Sequence, residues 1–425
     1  MAFDQGLSGL QAASTQLDVI GNNIANSSTV GFKESNIEFA DVYANSLGGG
    51  GASAVGIGVS ASDVSQQFTQ GTISTDSNPL DIAIDGNGFF QVSTNGSIGY
   101  TRSGEFQLNE NGAIVTSSGA NLQGYNANAN GVLNTGVTTN IVINSANLPP
   151  KITATVGTEL NLNSSSPVLL SAGFDSTKPA TYTYSTSVTV YDSLGNSHAL
   201  QTYYVNNGIV APSVEDQWSV FATVDGKPIG YTPPAAPVSV ATLSFNSAGT
   251  LDPATTTPVT APPFSVPLTI PLANGATTPQ VVTISYTGTT QYGVSSGVNS
   301  QTQDGFASGQ LTQFSAGADG VITGTYSNGQ TQTLGQIVLD NFVNPSGLKS
   351  IGNNLWLASP TSGVPLLGTP GSGSLGTLQS DAVEDSTTDL TSELVNMITA
   401  QQDYQANAQT IKTEDQIIQT LVTLR

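Results

Sequence analysis

The two ends of this chain carry the same kind of pattern. Near the N-terminus Phe3, Leu10, Leu17 and Ile24 recur at seven-residue intervals, with Leu7, Ala13 and Ile20 between them. Near the C-terminus Leu390, Met397, Tyr404, Ile411 and Ile418 repeat that spacing, with Leu394 and Leu421 alongside. An apolar residue at every seventh position draws a narrow stripe along a helix, and such a stripe needs a helical partner. The spacing predicts one helix over residues 2–26 and a second of about 38 residues, roughly 57 Å, ending at the C-terminus. The residues between them read as mostly non-helical. Phe3, Leu7, Leu10, Leu17, Ile20, Ile24, Leu390, Leu394, Met397, Tyr404, Ile411, Ile418 and Leu421 are therefore the candidate assembly surface. An intramolecular hairpin of the two ends accounts for part of the pattern. The apolar residues that flank each seam are more than one partner helix covers, which points to neighbouring chains.

Charge narrows what such a chain can bind. Lys and Arg number 8 against 29 Asp and Glu, for a net charge of −21. Phosphate backbones repel that surface, so no nucleic acid is expected as a partner. Copies of the chain repel one another too, so self-assembly is expected to strengthen with salt. Cysteine is absent. Disulfides, zinc–thiolate sites and cysteine nucleophiles are thereby excluded. Asp4 sits where a cleaved signal peptide carries basic residues, so the chain is expected either to stay inside the cell or to leave by a route that cleaves no leader. No stretch approaches the ~20 apolar residues of a membrane span, so no membrane insertion is expected.

The fold class reads as mainly β with α-helical termini. Charged residues are only 9 % and glycines number 46, which suits turns and solvated strands. Residues 27–31 read as a break, 32–45 as an extended or short helical connector, and 48–51 as a flexible glycine joint. Strand patterns begin at Val59. Ser187 to Tyr191 and Ala199 to Val205 read as a hairpin about the turn at 192–196. Residues 228–279 hold eleven of the chain's 21 prolines, which predicts edge strands and long loops. Residues 359–376 read as a Pro/Gly-rich linker. Ser386, three residues before Asp389, reads as the start of a capping box for the last helix. The expected organisation is nested. A coiled-coil domain forms from 1–30 and 385–425, with connectors at 31–70 and 359–384. A discontinuous β domain follows at 71–150 and 285–358, and an inserted outer β domain at 151–284.

Motifs of enzymes are present only as letters. Gly293-Val294-Ser295-Ser296-Gly297 matches a nucleophile elbow, but the only histidine, His198, precedes it by about a hundred residues, whereas hydrolases of that class place it after the serine. Gly371-Ser372-Gly373-Ser374-Leu375-Gly376 matches a dinucleotide loop, but Pro370 precedes it and no helix follows directly. His198 reads as a partly exposed structural residue beside a β-turn. No cofactor or metal is expected, and the chain does not read as an enzyme.

Several segments resemble the bacterial flagellar rod and hook proteins. Leu7-Ser8-Gly9-Leu10, the run from Leu17 to Asn26 and Thr29-Val30-Gly31-Phe32-Lys33 are similar to the N-terminal signature of that family. Leu394 to Gln401 and Tyr404-Gln405-Ala406-Asn407-Ala408 are similar to its C-terminal signature. The run from Ala83 to Phe90 and Tyr100-Thr101-Arg102-Ser103-Gly104 resemble its shared β region. Val190 to His198, Gln303 to Leu311 and Ile351 to Trp356 look like the hook branch. Asp381 and Thr387 depart from the family pattern, standing where Gly and Asn are expected. The resemblance implies a structural polymer: a tube whose inner layer is built from terminal helices and whose outer layers are β domains. It implies as partners other copies of the chain, a distal rod protein, a hook cap protein, a hook–filament junction protein and the flagellar type III export apparatus. It implies an extracellular place on the flagellum. A distal rod subunit and a secreted adhesin or carbohydrate-binding β protein with helical oligomerisation ends are the alternatives.

Overall fold

An aspartate starts the long helix. The carboxylate of Asp389 accepts hydrogen bonds from the backbone N–H groups of Thr391 (2.8 Å) and Ser392 (3.3 Å), which satisfies donors that a helix N-terminus leaves free. The cap is thus Asp389 itself, not Ser386, whose hydroxyl accepts from Thr388 N at 3.2 Å. Helix α2 runs over Leu390–Thr423, 34 residues, or about 51 Å. Helix α1 runs over Ala2–Ala25. Its Gly21-Asn22-Asn23 segment stays helical because Asn23 is buried and fully used, as described below.

This computed structural model describes residues 2–42, 56–211, 213–230, 235–258, 264–272 and 274–423, without the side chains of Ala2 and Leu421. The joint expected at 48–51 lies outside the described residues. The chain forms two compact units. No helix of the described residues is long and apolar enough to cross a membrane.

The first unit comprises Met1–Ser145, Thr312–Thr325 and Thr331–Arg425. It contains both helices. The connector after α1 is a strand rather than a helix: β1 (Ser35–Val42) pairs antiparallel with β2 (Gly58–Gln66), from Ser35↔Gln66 to Val42↔Gly58. This hairpin lies against α1, where Ser8 Oγ accepts from Val59 N (3.3 Å) and Gln5 donates to the Gly56 carbonyl (2.5 Å). Beyond it, Phe89–Thr94, Ser97–Thr101 and Asn121–Asn126 belong to a large, mainly antiparallel sheet. Alternate residues such as Phe90, Val92 and Leu122 are removed from solvent. Phe89, Tyr100, Phe342 and Trp356 form an aromatic cluster with edge-to-face rings, Tyr100 and Phe342 being 4.8 Å apart.

The segment expected to be a linker is stitched into this unit. Leu366–Gly368 pairs with Leu339–Asn341, Thr377–Ser380 with Ile82–Asp85, and Ala382–Glu384 with Ile73–Thr75. The Gly-rich turn between them closes on itself through Gly371 N to Gly376 O at 2.8 Å. Partners distant in sequence supply the ladder that the local composition does not advertise.

The second unit comprises Ala146–Leu311 with Tyr326–Gln330. Two five-stranded sheets enclose one core. In one, Thr155–Asn163 runs parallel to Gln280–Ser285 and Thr290–Tyr292 and antiparallel to Gly297–Gln303. In the other, Tyr184–Tyr191 and Ser197–Ile209 make the expected hairpin, and Asp216–Val224 follows. The Pro-rich region contributes edge strands, Ala241–Phe245 and Ser265–Ile270. They are more than loops, since Leu243, Phe245, Val266, Leu268 and Ile270 are buried in the core, while Pro267 faces outward. The unit extends past the expected boundary at 284, because Thr290–Tyr292 and Gly297–Gln303 complete its first sheet. Its two ends are paired, Leu148 with Gly309 and Lys151 with Phe306.

Candidate assembly surface

The helices pack antiparallel through small residues. Asn23 meets Glu393, Gly9 meets Asn407 and Gly6 meets Ile411. A Cβ added to Gly9 would lie 2.5 Å from Asn407 Oδ1, and one on Gly6 would lie 3.0 Å from Ile411 Cγ1. Gly6, Ala13 and Ile20 are the buried heptad positions of α1. On α2, Glu393 and Ala400 are buried and Asn407 and Glu414 half-buried, again seven apart. The intramolecular seam therefore runs beside the apolar stripe, not along it.

That offset decides where the thirteen expected positions fall. Ile20 is buried in the seam. Leu10, Leu17, Ile24, Met397 and Ile411 are half-buried. Phe3, Leu7, Leu390, Leu394, Tyr404 and Ile418 remain between 37 % and 50 % exposed. The side chain of Leu421 lies outside the described residues. Val395, Ile398, Ile417 and Val422 add to the open apolar face of α2. The last three turns of α2 run past the point where Gly6 meets Ile411.

Below the helices, both exits are tied to the sheet. The Asn23 amide donates to the Ser35 carbonyl (3.0 Å) and accepts from Ser35 N (3.0 Å), so one side chain imitates a strand neighbour. Gly31, at φ +68°, passes so near Ser103 that a Cβ would lie 2.5 Å from its nitrogen; only glycine suits that position. Its N–H donates to the Glu384 carbonyl at 2.7 Å. The Glu384 carboxylate pairs with Lys33 Nζ (2.7 Å) and Arg102 Nε (3.1 Å), with all three side chains almost free of solvent. Burial pulls the Lys33 amine and the Arg102 guanidinium below their ordinary values, and the Glu384 charge opposes that pull. The flanking departures from the family pattern also find reasons. Asp381 holds a left-handed backbone, φ +54°, a conformation that Gly takes freely and Asp tolerates. Thr387 Oγ1 accepts from Glu34 N at 2.9 Å.

Sequence reasoning did not single out Gly6, Ala400 or Glu384. Glycine and alanine carry no hydrophobic signal, and a lone acid has no periodicity. The seven-residue spacing of Gly6, Ala13 and Ile20 is the one trace of the seam that the sequence carries.

His198 is held by two carboxylates, Nδ1 to Asp225 Oδ2 at 2.7 Å and Nε2 to Asp192 Oδ2 at 3.3 Å. Among the described residues no group of three or more His, Cys, Asp or Glu is placed to hold a metal ion.

Comparison with known proteins agrees along the chain. Residues 3–33 match the family model of the flagella basal body rod protein, and 83–158 that of the flagellar hook protein FlgE/F/G D1 domain. Residues 161–306 match the flagellar basal body protein FlaE D2 domain, and 379–424 the flagellar basal body rod FlgEFG protein C-terminal model. The flagellar hook protein FlgE of Escherichia coli (strain K12) is 43 % identical over 100 % of both chains. That of Salmonella typhimurium is 42 % identical over the same span, and that of Treponema pallidum 31 % over 99 % of this chain and 98 % of its own. The crystal structure of Helicobacter pylori flagellar hook protein FlgE2 shares the fold, with a TM-score of 0.53 at 16 % identity over 73 % of this chain and 100 % of that one. With small-residue helix packing, an uncovered apolar stripe and full-length relatives all in agreement, the chain belongs to the flagellar hook protein FlgE family.

Proposed function

We propose that this chain is a structural subunit of the bacterial flagellar hook, polymerising into a flexible tube that carries motor torque from rod to filament. The observation that carries this reading is the uncovered stripe. The seam between α1 and α2 uses glycine, alanine and polar side chains, and leaves Phe3, Leu7, Leu394, Tyr404 and Ile418 open. Burying such surface between copies stabilises a polymer at about 25 cal/mol per Å2. The helices then form its inner layer, and the polar, Pro-rich insert makes contacts of its own. The insert's contacts exchange between near-equal states as rows of subunits shorten and lengthen in rotation.

Family membership supports the remaining parts of the reading. The neighbours are other copies, the distal rod protein at one end, the hook cap protein during growth and the hook–filament junction protein at the other end. The chain reaches its extracellular place through the flagellar type III export apparatus, and it performs no catalysis. The double variant Leu394→Ser, Ile418→Ser tests the assembly surface by electron microscopy and sedimentation. The wild type is expected to form tubes at high protein concentration. The variant is expected to stay soluble with an unchanged melting temperature. Tubes of normal yield from the variant would overturn the assignment.

A further inference from the structure

The seam between α1 and α2 has an unsolved problem of register. Its heptad positions are Gly6, Ala13 and Ile20 against Glu393, Ala400 and Asn407, with Ile411 packed on Gly6, so small and polar residues supply most of it, and the Asn23–Glu393 hydrogen bond inside it is long, 3.4 Å. Small residues let helices approach closely but discriminate poorly between one alignment and the next. Register is specified by bulky interdigitation or by a polar group that pairs in one alignment only. The open stripe is shared between both helices, so a shift of α1 along α2 breaks it into two misaligned halves.

We propose that the buried cluster of Lys33, Glu384 and Arg102 sets the register of α1 against α2. This inference rests on the assembly reading above. Lys33 follows the last residue of α1 by eight positions, and Glu384 precedes the first residue of α2 by six. The carboxylate joins them directly, Lys33 Nζ to Glu384 Oε1 at 2.7 Å. The same oxygen accepts from Gly71 N at 2.7 Å. Lys33 also donates to the Thr69 carbonyl (2.6 Å), and Arg102 to those of Gly86 (2.9 Å) and Gly88 (2.7 Å). One carboxylate thus anchors both helix exits to strand-bearing segments of the same unit. Thr387 N donates to the Phe32 carbonyl at 3.2 Å, a second tie between the exits. A buried ion cluster adds little net stability over apolar packing, but it tolerates no displaced partner, because a displaced one leaves a charge unpaired. That intolerance is what a register device requires. Glu384 is a positioning residue: its side chain has no exposed surface to offer a neighbouring copy.

The test separates register from stability. Glu384→Gln removes the charge and keeps the shape; Leu122→Ala opens a cavity in the sheet core and leaves the exits intact. Both are purified as full chains, and the melting temperature and the critical concentration for polymerisation are measured. Glu384→Gln is expected to raise the critical concentration about tenfold or more, whereas Leu122→Ala lowers the melting temperature without moving the critical concentration. Should Glu384→Gln fail to fold, Lys33→Met carries the same comparison, since Glu384 keeps Arg102. Assembly of the charge variant at the wild-type concentration overturns the proposal. So does a loss of assembly no greater than the cavity variant shows. A wild type that never polymerises overturns the assembly reading beneath it.

Discussion

Gly9 and Asn407 touch across the helix pair: a Cβ at position 9 would lie 2.5 Å from Oδ1 of the asparagine as it stands. The obstacle is the far end of a flexible side chain, so the size of the substituent decides the outcome. Gly9→Ala gains about 1 kcal/mol of helix propensity and requires Asn407 only to rotate, so near-neutral stability is expected. Gly9→Leu forces the helices apart at a cost of about 1–3 kcal/mol. Helical circular dichroism through a denaturant titration distinguishes the two; equal losses contradict the close approach.

Asp340 gives the first unit a pH dependence. Its side chain is fully buried, and neither carboxylate oxygen has a hydrogen-bond partner among the described residues. Burial pushes its pKa from 3.8 up to about 7. Burial first, and the nearby Asp340 charge second, push Tyr100 up to about 12. The folded state therefore holds the Asp340 proton more tightly than the unfolded state. The Asp340 contribution to stability is fully present below about pH 4 and is lost as pH rises through about 7, a change of roughly 4 kcal/mol. Asp340→Asn is expected to raise the melting temperature at pH 8 and to change it little at pH 4. A pH-independent effect would contradict the burial argument.

His198 gives the second unit a pH dependence whose cause differs. Burial lowers its pKa, but hydrogen bonds to Asp225 and Asp192 outweigh that and leave it raised above 6.5. A raised histidine contributes stability that is fully present below its unfolded pKa and is lost as pH rises through the folded one. His198→Ala is thus expected to destabilise at pH 5.5 more than at pH 9. Thermal melts of both proteins at the two pH values check it, and a larger loss at pH 9 would contradict it.

Salt acts on assembly through the net charge of −21. Screening shortens the repulsion between copies, so the critical concentration for polymerisation is expected to fall between about 20 and 300 mM sodium chloride. Sedimentation across that range measures it. A critical concentration that rises with salt would place ion pairs, not apolar contacts, at the centre of the interface.

The heptads were legible because Phe3, Leu10, Leu17 and Ile24 repeat strictly. Which part of the pattern faces inward was not, because the true seam is drawn in glycine and alanine. Residues 359–376 looked like a linker because proline and glycine dominate there, yet Leu366–Gly368 finds its ladder partner in Leu339–Asn341. Local composition cannot report a neighbour that is distant along the chain. The hairpin about 192–196 was readable because its two alternating runs flank a short turn. Glu384 was invisible, since its significance arises only where Lys33 and Arg102 converge.

The paired ends of the second unit, Leu148 with Gly309 and Lys151 with Phe306, bring the chain's entry to that body beside its exit. Surgery at 151–284 would cut through a sheet, stranding Thr290–Tyr292 and Gly297–Gln303. Excision of Ala146–Leu311 leaves no strand of its two sheets behind and removes all of that body except Tyr326–Gln330. Insertions or deletions between those paired ends leave every strand of the first unit's sheets unbroken.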